Sequence, residues 1–159
     1  MTSEAHQWLL VWAIRRMASD GFLVGGFEGA APSRGAGNTL PAPFELHGHR
    51  PDAWASSDDG ARLAFAEAKT AGDIDNAHTR KQLRIFGCCR MRASAQLCPL
   101  YLAIPRSAVY ELDRVLIDTR LIGARHIIRV HIPDILLQES LHGARKVTSP
   151  FLAASGRRN

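Results

Sequence analysis

The strongest turn signal in the chain is Asp58-Asp59-Gly60, and it stands between two runs that read as strands. Asp-Gly favours a tight reversal, so the segment that starts near Asp52 is predicted to fold back beside Arg62-Leu63-Ala64-Phe65-Ala66-Glu67-Ala68-Lys69. Side chains alternate along a strand, which places Leu63, Phe65, Glu67 and Lys69 on one face and the small alanines on the other. Folding the hairpin then brings Asp52, Glu67 and Lys69 to one spot. Two carboxylates and an ammonium so placed suit a hard divalent cation, Mg²⁺ or Mn²⁺, with a lysine beside it to orient a water and favour its hydroxide form. The plainer alternative is a surface hairpin carrying a solvated Glu and Lys.

Around this hairpin the chain reads as alternating helices and strands. Ser3 can cap a helix from about Glu4 to Ala18, with Trp8, Leu9, Val11, Trp12, Ile14 and Met17 leaving a broad apolar face. Phe22 to Glu28 reads as a strand weakened or bulged at Gly25-Gly26, and Gly29 to Pro43 has the composition of a long loop. Phe44 to Ala55 reads as extended, interrupted at Gly48 and Pro51. Asp75 is the expected cap of a helix from Asn76 to about Arg92, on which Asp75, His78 or Thr79, Gln82 and Phe86 draw a stripe. Leu97 to Ile104 reads as a strand, Ser107 as the cap of a helix through about Ile122, and His126 to Ile132 as a further strand. A short helix near Ile135, Leu136, Leu137 and Leu141 follows, and Ala153 to Asn159 resembles a frayed tail. The expectation is an α/β fold, a mixed sheet flanked by helices on both faces, with a single domain over 1–150 and a flexible tail over 151–159.

A chain of 159 residues is long enough to bury a core without disulfides or a structural metal. Its formal net charge of +5 and its 17 Arg against 3 Lys suit a polyanionic partner, although a GC-rich genome also enriches Arg. No apolar run approaches the roughly eighteen residues of a membrane span, and the first residues lack the basic-then-apolar order of a signal peptide. A cytoplasmic protein without a membrane partner is expected. Cys88, Cys89 and Cys98 are too few and too irregular for a disulfide framework. A zinc site built from them with His47, His49 or His78 is the alternative, since Glu45, His47 and His49 share one side of an extended segment. The usual ligand spacing is missing, so free and largely buried thiols are expected.

Pro51-Asp52, fourteen intervening residues, then Glu67-Ala68-Lys69 resembles the signature of the PD-(D/E)xK, or restriction-endonuclease-like, nuclease superfamily. Gln82-Leu83-Arg84-Ile85-Phe86 is similar to the Gln-x-x-x-Tyr element of RecB-type members, with Phe86 in place of Tyr. The resemblance covers roughly Glu4 to Pro105 and rests on short motifs in a matching order. It implies an αβββαβ core and a divalent-metal-dependent DNA endonuclease. It assigns Asp52, Glu67 and the backbone carbonyl of Ala68 as metal ligands, Lys69 as the residue that positions the attacking water, and Gln82 as the residue that steadies the lysine or that water. Many members carry an extra acid on the first helix; Glu4 is the candidate here, with Glu28 its rival, and His78 on the stripe beside the site is expected to touch a phosphate or its neighbours rather than to bind metal.

Lys81, Arg84 and Arg90 on the helix after the hairpin are the expected phosphate contacts. A chain this short leaves little for base-specific readout, which favours structure-dependent or weakly specific cutting, or a targeting partner. One active site cuts one strand, so cutting both needs a homodimer. A catalytically inactive DNA-binding or assembly subunit of the same fold is the alternative from another class, and a small zinc-binding regulator is a third.

Overall fold

The computed structural model describes residues 3–28 and 44–138. The expectations for the loop at Gly29–Pro43, for Leu141 and for the C-terminal tail lie outside these residues. The elements run α1 (Glu4–Ser19), β1 (Phe22–Phe27), β2 (Ala53–Ser57), β3 (Leu63–Ala68), α2 (Ala77–Gly87), β4 (Leu100–Pro105), α3 (Val109–Asp118) and β5 (Ile127–Ile132). The strands form one mixed sheet in the order β1-β2-β3-β4-β5. β1, β2 and β3 pair antiparallel, whereas β3, β4 and β5 pair parallel through the helical crossovers of α2 and α3.

The alternation read in β3 divides the core. Ala53, Ala55, Ala64, Ala66, Ala68 and Ala103 form a floor of small side chains on one face, and α1 lays Leu9, Leu10, Ala13 and Met17 onto it. Large residues fill the other face, where Phe65, Leu100, Leu102 and Ile104 meet Leu83 and Phe86 of α2 and Leu112, Val115 and Leu116 of α3. Phe86, the residue that replaces Tyr in the resemblance, is fully buried and packs its ring 5.6 Å from that of Phe65. Helices therefore cover both faces of a five-stranded mixed sheet, as expected.

Several boundaries differ from the sequence reading, each for a local reason. Residues from Phe44 do not extend β2: Leu46 and His49 bridge each other across His47 and Gly48, both at positive φ, which makes a tight turn of the hairpin type. α2 is capped by Asn76, whose side chain accepts from Thr79 N; Asp75 instead pairs with Arg80 and Arg114. That helix stops at Gly87 rather than Arg92, with Cys88 as its C-cap, and Arg90 then pairs with Leu97 in a separate bridge. α3 has no side-chain cap from Ser107, whose hydroxyl donates to Asp134 at the start of a helical segment over 134–138. The expected glycine bulge in β1 is present, since Val24 and Gly26 pair with Ala55 and Trp54 and leave Gly25 unpaired between them.

Candidate metal and catalytic site

Pro51 ends the ladder between β2 and β3, and the site begins there. Phe65 N and Lys69 N donate to Pro99 and Ala103 on the β4 side. Backbone groups alternate in direction along a strand, so Ala68 turns its N–H and carbonyl toward β2. The register Ala53 opposite Ala66 puts Pro51 opposite Ala68, and proline has no N–H to offer that carbonyl. Ala68 N finds a substitute in the side chain of Asp52, whose Oδ2 accepts from it at 2.7 Å. The Pro-Asp pair thus leaves a main-chain oxygen without its ladder donor and pins a carboxylate next to it.

Glu67 and Lys69 project on the same side of β3, as the alternation requires. Glu67 is fully buried, and Asp52, Lys69 and Gln82 are each less than a tenth exposed. Lys69 Nζ donates to Gln82 Oε1 at 2.7 Å and lies 2.7 Å from Glu67 Oε2. The second contact is an ion pair on Oε2, while Glu67 Oε1 is buried with no hydrogen-bond partner among the described residues. Burial raises the Glu67 pKa and the nearby Asp52 carboxylate raises it further, while Lys69 opposes both; the net shift is upward, to about 8. For Lys69 burial acts downward, but the carboxylates of Glu67 and Asp52 outweigh it, so its pKa rises and the ammonium stays charged. Gln82 reaches the site because Thr79, Gln82 and Phe86 form the buried stripe of α2.

Asp52, Glu67, Lys69 and Gln82 are therefore brought together, and the cluster is not a solvated surface hairpin. The other expected neighbours are placed differently. Glu4 is exposed on the first turn of α1, where its carboxylate forms no ion pair or hydrogen bond among the described residues. Glu28 donates its backbone N–H to Asp52 O at 2.6 Å, but its side chain is exposed. His78 is exposed on α2, with its ring 5.3 Å from that of His49. The residue of α1 that does reach the site is His6, whose Nε2 lies 3.4 Å from Asp52 Oδ2 and has no hydrogen-bond partner among the described residues. A signal for it existed, because His6 precedes Leu9 and Leu10 by three and four positions and so continues the buried stripe of α1 by one turn.

Lys81, Arg84 and Arg90 are all exposed, and Arg90 donates to Ala95 O. Among the described residues no three His, Cys, Asp or Glu side chains stand close enough to hold a metal ion, so the zinc arrangement with His47 or His49 is not assembled. Of the thiols, Cys98 is buried, Cys89 half-buried and Cys88 exposed, which corrects the expectation that all would be largely buried. Burial, with Cys89 beside it, pushes the Cys98 pKa up to about 12. No helix among the described residues is long and apolar enough to cross a membrane. No protein-family model matches the chain, and comparisons with curated proteins and with solved structures likewise find no match.

Proposed function

We propose that the protein is a Mg²⁺- or Mn²⁺-dependent DNA endonuclease of the PD-(D/E)xK type, structure-dependent or weakly specific for sequence. One observation carries this reading above the others: a fully buried glutamate stands beside a second carboxylate with a single ammonium, Lys69, at 2.7 Å from its Oε2, while its Oε1 has no hydrogen-bond partner among the described residues. Two neighbouring carboxylates in a buried place share one ammonium, and a divalent cation is the partner that would offset the remaining negative charge. The element order α1-β1-β2-β3-α2-β4 supports the same reading, since it resembles the αβββαβ core of that superfamily.

The donors fit a hard cation: Asp52, Glu67 and the Ala68 carbonyl supply oxygen ligands, and waters would complete the set. Such an ion, when bound, supplies positive charge for the phosphoryl oxygens and acidifies water. The rest of the chemistry belongs to the chain. Hydrolysis adds water at phosphorus and breaks one P–O bond, leaving an alcohol and a phosphate monoester. Lys69, held by Gln82, orients the attacking water and favours its hydroxide form. Asp52 is fixed by Ala68 N, so its free lone pairs keep one direction. Each protomer cuts one strand, and double-strand cleavage would require a homodimer.

A second reading, a non-catalytic DNA-binding or assembly subunit, is favoured by the place of Lys69 Nζ, which already neutralises Glu67 at 2.7 Å. Nicking of plasmid, branched and single-stranded DNA by the purified protein in Mg²⁺ or Mn²⁺ separates the two. The catalytic reading requires metal-dependent cleavage that Lys69→Ala lowers by about 10² to 10⁴. Binding of DNA without cleavage of any of these substrates leaves the second reading.

A further inference from the structure

The tight turn that precedes β2 and the exposed face of α2 meet at two histidines. His49 and His78 bring their rings to 5.3 Å across 29 residues of sequence. On α2, Lys81 and Gln82 follow His78 by three and four positions, which are the neighbouring positions on a helix surface. Gln82, which holds Lys69, is one helical turn from His78, and Asp52 follows His49 by three residues, so the pair stands on the same two segments that carry the buried cluster. His78 and Lys81 are exposed and His49 is half-buried. Glu45 is the acidic group that acts on His49; desolvation, Lys81 and His78 together outweigh it and disfavour an added positive charge on that ring. A place that gathers N–H donors beside an ammonium is one that an anion would stabilise.

We propose that His49, His78 and Lys81 form a phosphate subsite that holds the nucleic-acid strand beside the phosphate being cut. The proposal deepens the nuclease reading and rests on it for the identity of the anion. The imidazoles each supply one N–H donor when neutral, and the Lys81 ammonium supplies the charge. An internal phosphodiester and a terminal phosphate share the chemistry.

The test is binding of a short fluorescent DNA duplex, with and without terminal phosphates, to metal-free protein at several salt concentrations. His49→Ala with His78→Ala is expected to raise Kd roughly tenfold, and His78→Gln, which keeps a donor, to recover most of its share. Lys81→Ala is expected to make the dependence of log Kd on log salt shallower by about one unit. A loss confined to duplexes with terminal phosphates supports a terminal-phosphate subsite; a loss on both supports an internal one. Kd within about twofold of wild type and an unchanged slope in all three variants would overturn the proposal. The Lys81 variant keeps the test decisive if the histidine pair is needed for folding. Metal-dependent cleavage by wild type is followed in parallel. Histidine-dependent binding without cleavage keeps the subsite and removes the catalytic reading, whereas cleavage with unchanged binding in the variants does the reverse.

Discussion

Glu67 combines full burial, a neighbouring carboxylate and a single ammonium partner, Lys69, and these have a consequence for stability. Its folded pKa is raised from 4.5 to about 8, so the folded chain keeps a proton that the unfolded chain releases. The sign follows: its contribution is fully present below about 4.5 and is lost as pH rises toward about 8. In chelator, wild type should therefore lose stability relative to Glu67→Gln across that window, by an amount on the order of a few kcal/mol. Urea unfolding at each end measures it, and parallel pH profiles for the two proteins would contradict the burial of an ionisable pair. Gln82→Ala should lower cleavage by roughly tenfold or more while leaving ion binding intact, because it frees Lys69 Nζ without touching a ligand. Asp52, Glu67 and Lys69 were legible in the sequence because strand alternation and one turn fix their relative positions. For His6 the helical spacing marked a position on the buried stripe, but a histidine on an apolar helix face gives no sign of which side chain it will meet.

At the scale of elements, β1 depends on its bulge. A Cβ on Gly25 would stand 2.3 to 2.7 Å from the ring atoms of Trp54, and that ring is held by Phe44 at 5.5 Å between centroids. Gly25→Ala should therefore destabilise the protein by about 1 to 3 kcal/mol through displacement of Trp54, as thermal unfolding would record. A neutral substitution would mean that the indole moves freely. The strands and helices were legible from their apolar periods, but their ends were not. The α2 cap is a case in point: Asp75 and Asn76 are both good capping residues, and Asp75 instead pairs with Arg80 of the same helix and with the distant Arg114, which the sequence does not announce. At the C-terminal end of α2 the side chain of Leu121, far along the chain, fills the space that a Cβ on Gly87 would need.

For the whole molecule, the net charge of +5 becomes a spatial question, since exposed Lys81, Arg84 and Arg90 lie along and just beyond α2. Replacing all three with Ala should weaken DNA binding for every sequence alike and flatten the salt slope by about one unit for each phosphate that is no longer neutralised. An unchanged slope would route the DNA elsewhere. The central claim, that the buried carboxylates form a divalent-metal site, is tested most directly by thermal unfolding with and without metal, because no substrate need be known. If Asp52 and Glu67 bind Mn²⁺ or Mg²⁺ only in the folded chain, about ten to a hundred times the dissociation constant should add about 1.4 to 2.7 kcal/mol. That corresponds to a rise in Tm of about 3 to 10 °C for a chain of this size. Asp52→Ala and Glu67→Ala should each lose most of the rise, and Lys69→Ala should keep it while losing cleavage. A wild-type Tm that does not move up to about 10 mM Mn²⁺ in chelator-free buffer would contradict a metal site in the free protein.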